Sequence, residues 1–259
     1  MSQLITLITG ASGGIGAELA QQFANQGENL LLVARSGDKL ETVAAKLRAQ
    51  YKVEVAVLAL DLSAIDAAKT LLTFLGDEKL EVKHLVNNAG FGLNDAVQKL
   101  STEEQLNMLD LNVRSLTELT RLMLDQVIKH KGGVLNVASV LSFLPTPYMA
   151  VYGASKAYVL SFTEALAVEC QDLEVKICAL CPGSTKTEFG KRAKYQRSEM
   201  LENSAMMSAQ QVAILGFNGY MRGKTIVITG GVNKIIPIFT RLMPRGLLAK
   251  IMGKFMMAT

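Results

Sequence analysis

The run Thr9-Gly10-Ala11-Ser12-Gly13-Gly14-Ile15-Gly16 stands directly behind an apolar stretch, Leu4–Ile8, and directly ahead of a helix-forming one. Leu4–Thr9 reads as a short buried strand and Gly14–Gln26 as a helix. The turn between them carries glycines where a side chain would collide with a bound phosphate or with the strand behind. The helix N-terminus, with its unpaired N–H groups and positive dipole end, then faces an anionic diphosphate. The spacing Gly-x-x-x-Gly-x-Gly is one residue longer than the generic dinucleotide fingerprint. No Gly-Lys-Ser/Thr follows, which argues against a nucleoside triphosphate loop.

The rest of the chain alternates strand-like and helix-like runs. The strand candidates are Leu4–Thr9, Asn29–Ala34, Val53–Leu60, Lys83–Asn87, Gly133–Ser139, Val175–Leu180 and Thr225–Thr229. They are rich in Val, Leu and Ile without clean alternation, as strands buried on both faces are. Ser101 followed by Glu104, and Ser208 followed by Gln211, read as capping boxes that start helices. Right-handed crossovers wind such a chain into one open, doubly wound parallel sheet of about seven strands with helices on both faces. With 259 residues and no internal repeat or linker, residues 1–231 are expected to form a single α/β domain. Ser184–Met207 is polar and follows the end of the sixth strand, where ligands bind in such sheets, so it is expected to be a substrate lid.

Composition excludes some functions. Hydrophobic residues make up 49% of the chain, yet no run reaches the length of a membrane span. Three cysteines and no secretory leader point to a reducing, cytoplasmic compartment. The net charge of +4 is concentrated at the end. Val232–Thr259 holds five basic residues (Lys234, Arg241, Arg245, Lys250, Lys254) and no acidic one, leaving 22 basic against 23 acidic residues elsewhere. The body is therefore no nucleic-acid surface.

Tyr152-Gly153-Ala154-Ser155-Lys156 is the second informative feature. On a helix, residues four apart share a face, so phenol and ammonium converge. A fixed cation would be expected to lower the phenol pKa from about 10 toward the working range of an acid/base catalyst. With Ser139 at the end of a strand upstream, the chain resembles the single-domain branch of the short-chain dehydrogenase/reductase family. The resemblance covers about the first 230 residues. It rests on Thr9-Gly10-x-x-x-Gly14-x-Gly16, Asp61-Leu62, Asn87-Asn88-Ala89-Gly90, Asn112, Ser139, Tyr152-x-x-x-Lys156 and Pro182-Gly183.

The resemblance implies a Rossmann-like fold and assigns roles. Tyr152 is the expected general acid/base, and Ser139 the residue that bonds the same carbonyl oxygen. Lys156 is expected to bind the nicotinamide ribose, and Asn112 to hold a water that links Lys156 to solvent. Gly10, Ser12, Gly14, Ile15 and Gly16 are expected to cradle the diphosphate. Asn88, Ala89 and Gly90 would line the cofactor, Asp61 and Leu62 would flank the adenine, and Pro182, Gly183 and Thr187 would border the nicotinamide. Tyr148 and Tyr158 are weaker acid candidates because neither has a lysine four positions later, and Ser142 lies past the strand end. A homodimer or homotetramer is implied, paired through Gln105–Lys129 and Val151–Cys170. The expected activity is carbonyl reduction, or the reverse oxidation of a secondary alcohol, on an apolar substrate such as a 3-oxoacyl thioester, steroid or xenobiotic ketone. The alternative is a catalytically silent, cofactor-binding regulatory or scaffold protein. Epimerase or dehydratase chemistry would need a larger C-terminal substrate domain than this chain has.

The second strand ends Leu32-Val33-Ala34-Arg35-Ser36, with Ala34 where the NAD-using members carry an acid. Arg35 can grip a 2′-phosphate through its planar fork and Ser36 can add a hydrogen bond, so NADP(H) is the expected cofactor. Gly13 lacks the basic side chain that NADP-using relatives often place there. Cys178 and Cys181 fall in a strand on opposite faces, so neither a redox pair nor a metal site is expected.

The basic tail, 232–259, reads by itself. Leu247, Leu248, Ile251, Met252, Phe255 and Met256 form one apolar face of a helix over Gly246–Met257, with Lys250 and Lys254 off it. Such a face can cover the substrate cleft, bury in a partner subunit or lie on a membrane. Packing on protein is its commonest fate and is the expectation here.

Overall fold

Strands apolar on both faces are stable only between two layers, and the chain supplies both. The computed structural model describes residues 2–187 and 206–257. Its strands are β1 (Gln3–Thr9), β2 (Leu30–Ala34), β3 (Val55–Ala59), β4 (Leu80–Asn87), β5 (Gly133–Val137), β6 (Lys176–Cys181), β7 (Thr185–Lys186), β8 (Met207–Ser208) and β9 (Ile226–Ile228). Seven of them form one parallel sheet in the order β3-β2-β1-β4-β5-β6-β9. The expected doubly wound fold is thus present, with strand ends shifted by one to three residues.

The helices are α1 (Gly14–Ala24), α2 (Gly37–Tyr51), α3 (Ala67–Asp77), α4 (Thr102–Leu109), α5 (Leu116–Lys129), α6 (Ala150–Glu169), α7 (Ala209–Met221), α8 (Ile236–Leu242) and α9 (Arg245–Met257). Successive residues of β2 feed opposite layers, as the two-residue period of a strand requires. Leu30 and Leu32 pack with Leu19 and Phe23 of α1, Leu40 of α2 and Phe217 of α7. Leu31 and Val33 pack with Leu71 of α3, Met123 of α5 and Leu166 of α6. Cys178 and Cys181 fall in different core clusters, and burial pushes both thiols up to about 12.

The sheet order reverses between β1 and β4. Crossovers leave β1 toward β2 and β3 on one side, and β4 toward β5, β6 and β9 on the other. The crevice at this switch point, beyond the carboxyl ends of the strands, is where ligands bind in such sheets. Asn87 on β4 donates to Asn136 on β5 (2.9 Å) and to Thr120 of α5 (3.0 Å), and Asn136 donates to Thr163 of α6 (2.9 Å). This buried polar chain fixes both helices against the sheet beneath the crevice.

Some local features depart from the sequence reading. Ser208 and Gln211 form the full reciprocal box, whereas Ser101 only accepts from the Glu104 N–H. Asp110–Ser115 is a π-turn between α4 and α5, within the segment Gln105–Lys129. The stretch from Ser184 to Met207 was read as lacking a strand, but its ends pair: β7 with β8, in parallel. Two-residue strands are too short for any periodicity to reveal. The lid expectation for 188–205 lies outside the described residues. Among the described residues, no helix is long and apolar enough to cross a membrane.

One buried group ties this core to pH. His84 on β4 contacts the Tyr220 hydroxyl through Nδ1 (2.7 Å), and burial lowers its pKa from 6.5 to about 3. The imidazole is therefore neutral at pH 7. Its Nε2 lies 3.9 Å from Glu28, which pairs instead with Lys83 at 2.6 Å. With the folded pKa depressed, the unfolded chain binds the proton more tightly. The stabilisation is complete above pH 6.5 and is lost as pH falls toward 3. Urea titrations of wild type should lose roughly 2–3 kcal/mol between pH 6.5 and 4 that His84→Gln does not lose. Parallel losses in the two proteins would assign the acid sensitivity elsewhere.

Candidate active site

The turn after β1 is shaped by backbone that only glycine adopts easily. Gly10 and Gly14 have φ of +66° and +55°, in the left-handed region. Gly16 is held differently: a Cβ there would sit 2.4 Å from both the Gly10 carbonyl and Asn88 Nδ2. Gly10, Ser12, Gly13, Gly14 and Ile15 line a cleft of about 1690 Å³. Gly16 stands behind them, so its part is to let the helix approach rather than to touch a ligand. No side chain caps α1 and its first turn carries no carboxylate, which leaves its N–H groups to an anion.

Asn88 holds this turn from the other side of the switch point. Its Nδ2 donates to the carbonyls of Thr9 (2.9 Å) and Gly10 (3.1 Å). The Asn88 and Ala89 N–H groups both donate to the Thr9 hydroxyl (3.0 Å each). Asn88, Ala89 and Gly90 also line the cleft.

At one end of the cleft stand Arg35 and Ser36, joined by Lys39 one turn into α2. Lys39 escaped the sequence reading, although its spacing of four from Arg35 was visible. Glu18 on α1, also missed, lines the same cleft. Two expected adenine neighbours depart from their assignment. The Asp61 carboxylate accepts from the Ser63 N–H (3.0 Å) and hydroxyl (2.7 Å), and the Leu62 side chain is buried in the core with Leu31 and Val33. Neither side chain borders the cleft. A polar turn and an apolar core position account for both.

At the other end, α6 presents Tyr152 and Lys156 on its buried face, opposite Ser139 beyond β5. Lys156 Nζ donates to the Val137 carbonyl (2.8 Å), which anchors the ammonium at the end of β5. Burial lowers the Lys156 pKa to about 8, so the ammonium still predominates at pH 7. Burial pushes the Tyr152 phenol up to about 12, opposed by its hydrogen bond with Ser139. The sequence reading expected a phenol lowered by its neighbouring cation. Desolvation outweighs that attraction here, and the group is a protonated acid at neutral pH.

The competitors are placed elsewhere. Ser142 donates to the Lys156 carbonyl (2.8 Å) and accepts from the Ser139 N–H (3.3 Å), bracing the turn rather than facing the cleft. Tyr158 is half-exposed, bonded to Thr117 (2.8 Å) and stacked on Phe162. Tyr148 packs against the Tyr152 cluster and does not line the cleft. Asn112 is buried inside the π-turn. Its side chain accepts from the Phe91 N–H (3.1 Å) and donates to the Phe91 carbonyl (3.0 Å) and Ser155 (3.1 Å). It pins the segment after Gly90, and its amide is already engaged by these partners.

The substrate end is walled by apolar side chains: Leu141, Leu144 and Met149, with Leu248, Met252 and Met256 from α9. Tyr152, Met149, Phe91, Met108 and Met256 form one apolar cluster, with Met252 packed against it. The tail helix therefore lines the Tyr152 end of the cleft. Pro182, Gly183 and Thr187 line the opposite wall, with Met206.

A sequence model of the short chain dehydrogenase family matches residues 4–198. The chain is 35% identical over 188 residues to sulfoacetaldehyde reductase 2 of Chromohalobacter salexigens, covering 71% of this chain and 74% of the relative. It is 30% identical over 237 residues to the very-long-chain 3-oxoacyl-CoA reductase of Rattus norvegicus, covering 89% and 75%. A solved short-chain dehydrogenase from Sphingobium yanoikuyae, in complex with NADPH, superposes with a TM-score of 0.80 at 28% identity, covering 95% of each chain.

The packing around Gly16 sets a test. Gly16→Ala should cost about 1–3 kcal/mol of stability, because backbone must move to admit the methyl. It should also weaken dinucleotide binding, measured by calorimetry. Gly76→Ala, in a helix with open space around it, should be neutral or slightly stabilising. Equal behaviour of the two variants would refute the close approach at Gly16.

Proposed function

The chain belongs to the short-chain dehydrogenase family of oxidoreductases, and from that premise we propose that it is an NADP(H)-dependent carbonyl reductase, or the matching alcohol dehydrogenase, acting on an apolar substrate. One observation carries the reading: Tyr152, Ser139 and Lys156 meet the glycine turn in a single cleft whose far wall is apolar. The cleft fits a dinucleotide. Its turn lacks side chains where a diphosphate would pass, α1 opens toward it uncapped, and the volume exceeds what a small ligand alone needs.

The bound nicotinamide would supply the hydride. In the reduction, Tyr152 gives its proton to the carbonyl oxygen, and burial keeps that proton in place at pH 7. Ser139 donates to the same oxygen, orienting the carbonyl and bearing part of the charge that develops there. Lys156 holds the nicotinamide ribose and adds positive charge beside the phenol as its proton leaves. With its side chain engaged by Phe91 and Ser155, Asn112 would have only its main chain left for the expected relay water. Arg35, Ser36 and Lys39 hold the adenosine 2′-phosphate, and Ala34 leaves no carboxylate to repel it.

The wall of Leu141, Leu144, Met149, Leu248, Met252 and Met256 favours a long or bulky apolar ketone over a small anionic one. A 3-oxoacyl thioester, a steroid or a xenobiotic ketone would each fit that description. The rival scaffold reading is tested by turnover itself: NADPH oxidation with any apolar ketone excludes it.

Two variants separate the roles. Tyr152→Phe should retain NADPH binding while turnover falls by roughly 10²–10⁴, the usual contribution of a positioned acid. Retention of more than about a tenth of the rate would place the acid elsewhere. Arg35→Ala should weaken NADPH binding about ten- to a hundredfold and leave NADH nearly unchanged, since each charge-assisted bond is worth roughly 1.5–3 kcal/mol. Equal losses for both cofactors would end the 2′-phosphate assignment.

A further inference from the structure

The tail helices carry a buried apolar face and a second, largely exposed one. On α9, Leu248 and Met256 are buried and Met252 is packed over Tyr152. Leu247, Ile251 and Phe255 form a second stripe, each about half exposed. At about 100° per residue, the two stripes are adjacent, and Lys250 and Lys254 flank the outer one on its far side. Helix α8 repeats the arrangement. Its Ile238, Phe239 and Leu242 share an arc of about 100° and are 53–81% exposed, as is Ile235 in the 3-10 turn Val232–Ile235 just ahead, with Lys234 and Arg241 beside them.

Ile235, Phe239 of α8, and Ile251 and Phe255 of α9 also line the cleft. The exposed apolar surface therefore continues into the substrate end of the cavity. Exposed apolar surface of this extent marks an interaction site. The partner's chemistry follows from charge: all five basic residues of 232–259 are exposed, and the segment has no acidic residue. A second copy of the same face would bring ten cations together with no counter-charge from the helices themselves. An anionic lipid surface satisfies both the apolar stripes and the cations.

We propose that α8 and α9 lay this face on an anionic bilayer surface, with the cleft mouth opening onto the lipid phase from which the apolar carbonyl substrate enters. The direction of substrate entry rests on the reductase reading; the docking does not. Full-length protein should float with vesicles of phosphatidylcholine and phosphatidylglycerol, far less with phosphatidylcholine alone, and less as salt is raised. Lys250→Gln with Lys254→Gln should weaken partition about thirtyfold, at the usual contribution of a lysine near an anionic surface. Ile238→Glu with Leu247→Glu, at exposed positions outside the cleft, should abolish flotation while unfolding temperature and turnover of a short water-soluble ketone stay unchanged.

Absence of flotation by the intact protein overturns the docking, as does equal flotation with neutral vesicles. Dissociation of an oligomer by Ile238→Glu with Leu247→Glu, with no vesicle binding by wild type, would make the face a subunit interface instead. Intact flotation with no turnover of any ketone would strike the reductase reading and leave the docking standing.

Discussion

The site depends on one clamp between two strand ends. Thr9 closes β1, and its hydroxyl accepts two N–H bonds from the segment that follows β4, while Asn88 returns two bonds to the carbonyls of Thr9 and Gly10. These groups sit where the sheet reverses direction, so neither strand's own ladder could satisfy them. Paired across the crevice, they fix the glycine turn at the height of Gly90 and hence of Lys156, whose Nζ a Cβ on Gly90 would approach to 3.3 Å. The glycine-turn and Tyr152 halves of the cleft are set relative to one another through this contact.

Burial is the second constraint, and it acts on the chemistry as well as the fold. The residues that pack around Tyr152 keep its phenol protonated and destabilise the ammonium of Lys156. The two shifts oppose what an isolated pair in water would show. Direct attraction would lower the phenol and raise the ammonium; desolvation disfavours both charges and moves each group the other way, to about 12 and about 8. The protein thus holds a neutral acid next to a cation anchored on the Val137 carbonyl, an arrangement suited to proton delivery as charge develops on a carbonyl oxygen.

What could be read from the sequence was whatever local spacing dictates. The glycine turn, the Tyr152–Lys156 helix face, Ser139 at a strand end and the amphipathic tail all express themselves within a few residues. What escaped depends on partners distant in the chain. Leu62 looks like any apolar residue until β2 and α3 bury it, and Asn112 is expected to hold a relay water until the π-turn sets its side chain against Phe91 and Ser155. Lys39 is unremarkable beside Asp38 and Glu41 until the cleft passes it. The rise in the phenol pKa comes from burial, and the residues packed with Tyr152, among them Phe91, Met108, Met149 and Met256, lie too far apart in the chain for any window of sequence to contain them.

The short ladder between β7 and β8 has a consequence of its own. Thr185 and Lys186 pair with Met207 and Ser208, so the chain leaves and rejoins the body at one point. The cost of closing a loop rises only with the logarithm of its length, and this bridge fixes the two ends independently of what lies between them. A change in the number of residues between Lys186 and Met207 should therefore cost the sheet little. Selectivity in such a scaffold can evolve as a graft, on a timescale decoupled from that of the catalytic core.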